Sequence, residues 1–304
     1  MNLRRFRLTR PLGVWLVLLA ALPPHFSAQR LRAQSPGGSA GGKHTSARAA
    51  GRTLHPAAHG LPGAAPHDSA QLGEHSRFVS PRGVIHVWRP GPYNARSAGI
   101  VVYVHGYFTD VDQAWADDHL PEQFQASGRN ALFVTPEAPE GRGEEVRWKN
   151  LGTLLSDVEQ GWDSPLPAGP IVLVGHSAAY RTIVNWLHDP RVKSVILLDA
   201  LYRNERQFLR WLRYAPNHQS HHLVLVANDT ARHSQRLARR FPQAQRLSRI
   251  PASPGEFTPQ EKRARLLLLR SQYEHMEIVS SGKVIPLLLE LAPLSTLILP
   301  SPVE

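Results

Sequence analysis

The sequence predicts an α/β protein in which a mostly parallel central sheet of about eight strands carries helices on both faces. Two observations indicate this fold class. Short continuous runs of Val, Ile and Leu recur along the chain, as expected of strands that are buried on both faces. Amphipathic segments separate these runs, and this alternation is typical of strand–helix–strand units in a parallel sheet.

The individual elements follow from the same pattern. Residues 84–88 alternate in hydropathy and stop at an Arg-Pro-Gly-Pro turn, which predicts an edge strand. Continuous apolar runs predict buried strands at residues 100–104, 131–134, 171–174, 195–198, 223–226 and 266–269. The segments between the runs predict helices at about residues 113–127, 148–160, 178–187, 204–214, 231–240 and 283–292.

The composition fits one globular domain with an attached tail, and it excludes several function classes. The 304 residues include no Cys, which excludes a disulfide scaffold, a zinc finger, an iron–sulfur site and a thiol nucleophile. The net charge of +11 is concentrated in residues 1–75, which hold nine basic and two acidic residues and leave only +4 for the remainder. A body this weakly basic predicts no nucleic-acid partner.

The amino-terminal 28 residues resemble a secretory signal. Four arginines precede an apolar run at residues 12–22 that ends at Pro23, and this run is too short to span a bilayer, which takes about 20 residues. We therefore expect residues 1–28 to direct export to the periplasm or the extracellular space and to leave no stable membrane span after processing. Ala28 and Ala33 are the candidate cleavage sites. An uncleaved signal that anchors the chain in the membrane is the alternative.

Residues 29–75 are rich in Gly, Ser, Ala, Pro and His and have no apolar period, so they predict a disordered linker. The irregular spacing of the five histidines in this segment favours solvated side chains over a metal site: His44, His55, His59, His67 and His75. The predicted ordered domain is then residues 76–296, followed by a tail at residues 297–304.

A candidate nucleophile lies where the strand predicted at residues 171–174 meets the next helix. Ser177 stands at the centre of Gly-His-Ser-Ala-Ala, and the small neighbours allow the sharp turn that exposes a serine above the sheet. The alternative is a serine that only caps the helix. The position between a buried strand and a helix favours a nucleophilic Ser177.

A nucleophilic serine needs a general base, and that base needs a carboxylate to orient it. His275 follows the last predicted strand, so it belongs to the same edge of the sheet as Ser177 and is the candidate base. Five other histidines in the body compete for this role: His105, His176, His218, His221 and His222.

Two aspartates compete for the role of the orienting acid. Asp199 follows directly on the strand at residues 195–198. A carboxylate beside such an apolar run lowers the stability of the fold unless it has a partner or a function. Asp229 follows the next strand and precedes a predicted helix, so it also fits an N-cap. This comparison favours Asp199 and keeps Asp229 open, with Glu274 as the next carboxylate to test.

The loop after the strand at residues 100–104 reads His-Gly-Tyr-Phe. Gly106 lets this backbone turn, so the N–H groups of Tyr107 and Ala178 are the candidate donors to a developing oxyanion. An ordinary loop glycine is the alternative reading of Gly106.

Together these motifs resemble the α/β-hydrolase family, with His-Gly after its third strand, a serine turn after the fifth, an acid after the sixth or seventh and a histidine after the eighth. The resemblance covers residues 78–292, and the chain departs from the pattern at Ala179, where Gly is more usual. It implies acyl-transfer chemistry by a serine, with no metal and no organic cofactor. The short segment at residues 200–221 implies little or no lid.

The expected function is hydrolysis of a carboxylic ester, or of an amide, in a small-molecule or acyl substrate. Acyl transfer to an alcohol and peptide cleavage use the same three side chains. A catalytically silent protein that keeps the fold to bind a partner is the alternative from another class. The sequence carries no signal for the oligomeric state.

Overall fold

The computed structural model describes residues 73–162, 164–214 and 221–298. The predicted signal at residues 1–28, most of the predicted linker and the tail from residue 299 lie outside the described residues. Within the described part of the chain, no helix is long and apolar enough to cross a membrane.

A single sheet of nine strands forms the centre of the described domain, in the order β1-β2-β4-β3-β5-β6-β7-β9-β8. Strands β1 and β2 and strands β2 and β4 pair antiparallel, and all other neighbours pair parallel. The strands are β1 Glu74–Ser80, β2 Gly83–Arg89, β3 Gly99–Val104, β4 Ala131–Pro136, β5 Ile171–His176, β6 Val192–Leu198, β7 His222–Ala227, β8 Gln245–Leu247 and β9 Leu266–Arg270. The predicted fold class is confirmed.

Nine α-helices accompany the sheet in the described residues. They are α1 Val111–Asp117, α2 Leu120–Ala126, α3 Leu151–Gly161, α4 Tyr180–Trp186, α5 Glu205–Arg213, α6 Ala231–Arg239, α7 Pro259–Lys262, α8 Glu277–Ser280 and α9 Val284–Leu289. Helices α3 to α6 share one hydrophobic core with one face of the sheet, and α2, α8 and α9 share the other.

The apolar runs in the sequence explain both cores. In β3, Ile100 and Val102 belong to the core with α3 to α6, whereas Val101 and Tyr103 belong to the opposite core. Every residue of β3, β4 and β5 is buried, since successive side chains of a strand point to opposite faces and both faces are covered.

Two sequence predictions about elements were wrong, and four elements were missed: β1, β8, α7 and α8. The strand predicted at the edge is β2, which lies between β1 and β4, because the sequence analysis missed β1. The helix predicted at residues 113–127 is two helices, since His119 adopts a left-handed conformation with φ of 49°. Strand β8 has only three residues and helices α7 and α8 only four each, too short to produce a periodic pattern.

Strand β1 begins at Glu74, two residues before the predicted start of the domain. His75, predicted to be a solvated linker residue, donates or accepts a 3.0 Å hydrogen bond with His86 and stacks on the ring of Trp115. Arg77 of the same strand forms two hydrogen bonds with Asp112 of α1. These contacts hold β1 to α1, which explains why a polar segment is ordered here.

The parallel arrangement of β3, β5, β6, β7 and β9 brings five loops to one edge of the sheet, as is general for open α/β sheets. Helix α5, in the segment predicted to be too short for a lid, packs against the sheet through the buried side chains of Phe208 and Leu212. It therefore leaves the loops at this edge uncovered.

Candidate active site

Ser177 lies at the turn where β5 passes directly into a 3-10 turn at residues 177–179 and then into α4. Its backbone φ is 54°, a left-handed conformation that is uncommon for a residue with a side chain. A Cβ on Gly175 would lie 2.4 Å from Ile183 Cδ1 and 2.8 Å from Ala179 Cβ, so only glycine permits this packing of α4 on β5. The strained turn thus presents Ser177 above the end of the sheet.

The loop after β3 lies directly against this turn. A Cβ on Gly106 would come within 2.8 Å of Ser177 Cβ, so the glycine is what lets the two backbones approach. Tyr107, the next residue, and Ala178 both line the cleft that contains Ser177. The structure therefore places both predicted oxyanion donors beside the candidate nucleophile.

His105 holds this loop through hydrogen bonds of both its ring nitrogens. Its Nδ1 lies 2.8 Å from the carbonyl oxygen of Gly106, and its Nε2 lies 2.9 Å from the backbone nitrogen of Ala138. The carbonyl can only accept and the N–H can only donate, so His105 is the neutral tautomer with its proton on Nδ1. Because both ring nitrogens are engaged, His105 does not compete for the role of base.

His275 and Asp199 are brought together by the loops after β9 and β6. The Nδ1–H of His275 donates to Asp199 Oδ2 over 2.7 Å, which leaves Nε2 to face the cleft. The sequence places these residues 76 positions apart, so only the parallel pairing of β6, β7 and β9 explains their contact.

Asp199 is fully buried, and both of its carboxylate oxygens are hydrogen-bonded. The backbone N–H groups of Asn228, Asp229 and Thr230 all donate to it, as does the Thr230 hydroxyl over 2.7 Å. Burial favours the neutral acid, but the hydrogen bonds from His275 and Thr230 outweigh it and hold the pKa of Asp199 below its ordinary value. Asp199 is therefore a carboxylate throughout the neutral range.

Asp229 occupies a different position from the one predicted for a helix cap. The N-cap of α6 is Thr230, and no side chain caps that helix. The Asp229 carboxylate is 58% exposed, and its Oδ2 lies 4.0 Å from His275 Nδ1, against 2.7 Å for Asp199. Asp199 is thus the carboxylate that bonds the imidazole.

Asp199, Asp229 and His275 are also the one group of potential metal ligands in the described residues whose ligand atoms all lie within 4.8 Å of one another. The donor set argues against a cation at Asp199, because five N–H and O–H donors already point at its two oxygens. The chemistry of this group fits a hydrogen-bonded acid and imidazole.

His176, beside the nucleophile, is a supporting residue that the sequence analysis had considered only as a rival base. Its Nε2–H donates to the carbonyl oxygen of His275 over 3.1 Å, and the two rings lie 4.5 Å apart. Burial, followed by repulsion from His275, lowers the pKa of His176 to about 3. A neutral His176 therefore fixes the backbone and the ring of His275.

Two further rival histidines, His221 and His222, lie at the other end of β7. His221 bonds the carbonyl oxygen of Trp211, and His222 bonds that of Ala264. His218 lies outside the described residues. None of the described rivals bonds Asp199, so His275 is the histidine that the structure brings to the acid.

Arg181 is a further residue that the sequence analysis missed. Its guanidinium donates to the hydroxyl of Tyr107 and to the carbonyl oxygens of Gly141 and Glu144, the latter over 2.8 Å. It thereby ties α4 to the loop that follows β4 and to Tyr107 of the oxyanion loop. A signal was present in the sequence, since Arg181 stands one helical turn after Ser177.

These residues surround a cleft of about 1040 Å³ that opens at the carboxyl edge of the sheet. Its lining includes Ser177, His275, Tyr107 and Tyr202. The arrangement combines a half-buried serine hydroxyl at the cleft, an imidazole bonded to a buried carboxylate and two backbone N–H groups. Such a set can perform nucleophilic attack on an acyl carbon.

The strand order and the positions of these loops are those of the α/β-hydrolase fold. The histidine follows β9 rather than an eighth strand because the short β8 is added at the sheet edge. No protein-family model matches the chain, and no curated protein matches it in sequence.

Solved structures similar to the chain include several esterases. A mutant feruloyl esterase module from Clostridium thermocellum, complexed with sinapinate, is 13% identical, with 73% of this chain and 92% of that chain covered and a TM-score of 0.45. S-formylglutathione hydrolase from Staphylococcus aureus is 12% identical, with 75% and 98% covered and a TM-score of 0.47. A Pyrococcus furiosus esterase is 12% identical, with 73% and 91% covered and a TM-score of 0.40. The assignment of the fold rests on the strand order and crossovers.

The hydrogen bonds to Asp199 predict a pH-dependent contribution to stability. We expect Asp199→Asn to lower the free energy of unfolding at pH 7 by roughly 1–3 kcal/mol, because an amide turns a donor towards N–H groups. Folding lowers the pKa of Asp199. The difference in unfolding free energy between the wild type and Asp199→Asn is therefore present above the unfolded pKa of about 3.9 and is lost as the pH falls below that value. Urea unfolding of both proteins between pH 3 and 7 measures it.

The control for this experiment is Asp229→Asn, which removes an exposed carboxylate from the loop after β7, close to Asp199. It should change the free energy of unfolding by less than about 0.5 kcal/mol at every pH. A constant difference for Asp199→Asn down to pH 3 would contradict the assignment of a charged, hydrogen-bonded Asp199.

Proposed function

We propose that this protein is a serine hydrolase that cleaves a carboxylic ester through a covalent acyl-enzyme. The observation that carries the proposal is the 2.7 Å hydrogen bond from His275 Nδ1 to the buried Asp199, at the cleft that Ser177 also lines. An imidazole held in this way exposes an unprotonated Nε2, which is what a serine hydroxyl needs as its base.

In the first half of the proposed reaction, Ser177 Oγ attacks the ester carbonyl carbon and His275 Nε2 takes the hydroxyl proton. The carbonyl oxygen becomes an oxyanion, to which the N–H groups of Tyr107 and Ala178 donate. His275 is now an imidazolium, which the Asp199 carboxylate stabilises. The intermediate collapses when His275 gives its proton to the leaving alcohol, and the acyl group stays on Ser177.

In the second half, a water molecule attacks the acyl carbon while His275 Nε2 takes one of its protons. A second oxyanion forms between the same two N–H groups. Its collapse returns the proton to Ser177 Oγ and releases the carboxylic acid. The protein thus ends each cycle in its starting protonation state.

The residues around these groups support the proposal through positioning. Neutral His176 orients His275, and His105 fixes the carbonyl of Gly106, so the next peptide N–H, that of Tyr107, has a defined direction. Preorganised donors of this kind stabilise a developing charge without reorganising during the reaction.

A fluorophosphonate probe tests the nucleophile directly, since it labels activated serines. We expect labelling of the wild-type protein at Ser177, identified by mass spectrometry of the labelled peptide. Ser177→Ala should lose labelling, and turnover of a 4-nitrophenyl ester should fall on the order of a million-fold, as for other serine hydrolases that lose the nucleophile.

The matched control is Thr109→Val, which removes a hydroxyl from the same cleft and keeps the shape of the side chain. It should retain labelling and turnover within a few-fold. Ester turnover by Ser177→Ala at a tenth of the wild-type rate, or no labelling of the wild type, would show that Ser177 is not an activated nucleophile. The second result would favour a silent protein that binds a partner.

We further propose that the protein is exported. The support is the arrangement of four arginines before the apolar run at residues 12–22, which ends at Pro23. The absence of Cys from the whole sequence is compatible with an oxidising compartment, where an unpaired thiol is a liability.

The amino-terminal residue of the protein tests the export proposal. In a bacterial host, we expect the protein in the periplasm or medium to begin near Ala28 or Ala33, as read by terminal sequencing. Replacing two residues of the apolar run, Leu16→Glu and Leu18→Glu, should keep the chain in the cytoplasm with Met1 or Asn2 first. Recovery of the wild type only in the cytoplasm, uncleaved, would exclude export.

A further inference from the structure

The active-site cleft is electrically polarised, with cations and acids on opposite sides. Arg181 belongs to α4, and Arg203 lies in the loop after β6, directly before the N-cap of α5; both helices pack on one face of the sheet. Arg142 lies in the loop that Arg181 binds. Asp117 and Asp118 line the cleft from the end of α1, beside Trp115, which packs against the core of the other face.

The cationic side carries unneutralised charge. Arg142 and Arg203 are exposed, and neither forms an ion pair or a hydrogen bond with any residue in the part of the chain that the structure describes. Arg181 also has no carboxylate partner: it donates to one hydroxyl and two backbone carbonyls, and it lies over the ring of Tyr107. Three guanidinium groups therefore face the cleft without a carboxylate partner.

The acidic side consists of one exposed carboxylate, Asp117, and one buried carboxylate, Asp118. Asp118 is buried and accepts a 2.9 Å hydrogen bond from the Tyr103 hydroxyl. Burial raises the pKa of Asp118 to about 6. On the cationic side, His233 also lines the cleft, but it bonds Glu205, which has a second partner in Arg236. The three arginines of the cleft lining thus outnumber its two aspartates, Asp117 and Asp118.

We propose that the substrate of this cleft is an ester that carries a carboxylate, which Arg142 and Arg203 bind while Ser177 attacks the ester carbonyl. Guanidinium groups match carboxylates in charge and in fork geometry, and such charge-assisted hydrogen bonds are stronger than neutral ones. The inference rests on the proposed ester hydrolysis and adds the class of substrate to it. Arg142 and Arg203 are then specificity-determining residues.

The test compares two pairs of esters, each of which sets an ester that carries a carboxylate against a close analogue without one. The first pair, 4-nitrophenyl hemiadipate and 4-nitrophenyl hexanoate, places the carboxylate on the acid. Its six-carbon chain keeps the carboxylate from attacking its own ester rapidly. The second pair, 4-acetoxybenzoate and its methyl ester, places the charge on the alcohol.

We expect kcat/KM to favour the charged member of one pair at least about tenfold, the gain that one charge-assisted hydrogen bond supplies. The pair that shows the preference identifies the side of the ester that carries the carboxylate.

The double variant Arg142→Gln with Arg203→Gln should reduce that preference ratio to nearly one, because glutamine keeps hydrogen-bonding capacity without the charge. Arg206→Gln, an exposed arginine of α5 outside the cleft lining, is the matched control and should leave the ratio unchanged. Added salt should lower the ratio in the wild type, since exposed charges are screened.

Failure of this inference can be distinguished from failure of the proposed function. Turnover of the neutral esters with equal or lower turnover of both charged ones would overturn the inference and leave the ester hydrolysis standing. A preference that survives the double arginine substitution would also overturn it. No turnover of any ester, together with no fluorophosphonate labelling of Ser177, would overturn the proposed function and the inference with it.

Discussion

The hydrogen bond between His275 and Asp199 is the interaction on which the arrangement of the cleft depends. It joins the loop after β9 to the end of β6. The Asp199 carboxylate also accepts hydrogen bonds from three backbone N–H groups of the loop after β7. One buried charge thereby fixes three loops at once. A buried carboxylate is costly unless its oxygens are hydrogen-bonded, so the loops and Asp199 stabilise one another. His275 is held in one orientation as a result.

A second constraint comes from close backbone contacts around Ser177. Gly175 lets α4 pack on β5, and Gly106 lets the oxyanion loop approach the serine. Arg181 ties that loop to the segment after β4 through neutral oxygens, which leaves its charge facing the cleft. Arg181 therefore does two things: it positions a proposed oxyanion donor, and its charge adds to the positive potential around a carboxylate-bearing substrate.

Much of this site could be predicted from local sequence. Ser177 follows a buried strand within a run of small residues, and Asp199 and His275 each follow an apolar run, so strand periodicity alone assigns all three to one edge of the sheet. The sequence favours Asp199 over Asp229 but leaves Asp229 open, because the choice depends on a difference between 2.7 Å and 4.0 Å that tertiary packing decides. Strand β1 was missed for a related reason. Its polar residues are ordered by Asp112 and Trp115, far along the chain, rather than by an apolar period.

The central claim is that Asp199 orients His275 for catalysis. The most direct test measures turnover of a 4-nitrophenyl ester by the variants Asp199→Asn and Asp229→Asn. Circular dichroism shows whether each variant is folded. The account predicts a loss near 10⁴-fold for Asp199→Asn, because asparagine favours the wrong imidazole tautomer, and a loss of less than about tenfold for Asp229→Asn. The reverse order would assign the acid to the loop after β7. A loss below about tenfold in both variants would contradict the account, and Glu274 would then be the carboxylate to examine.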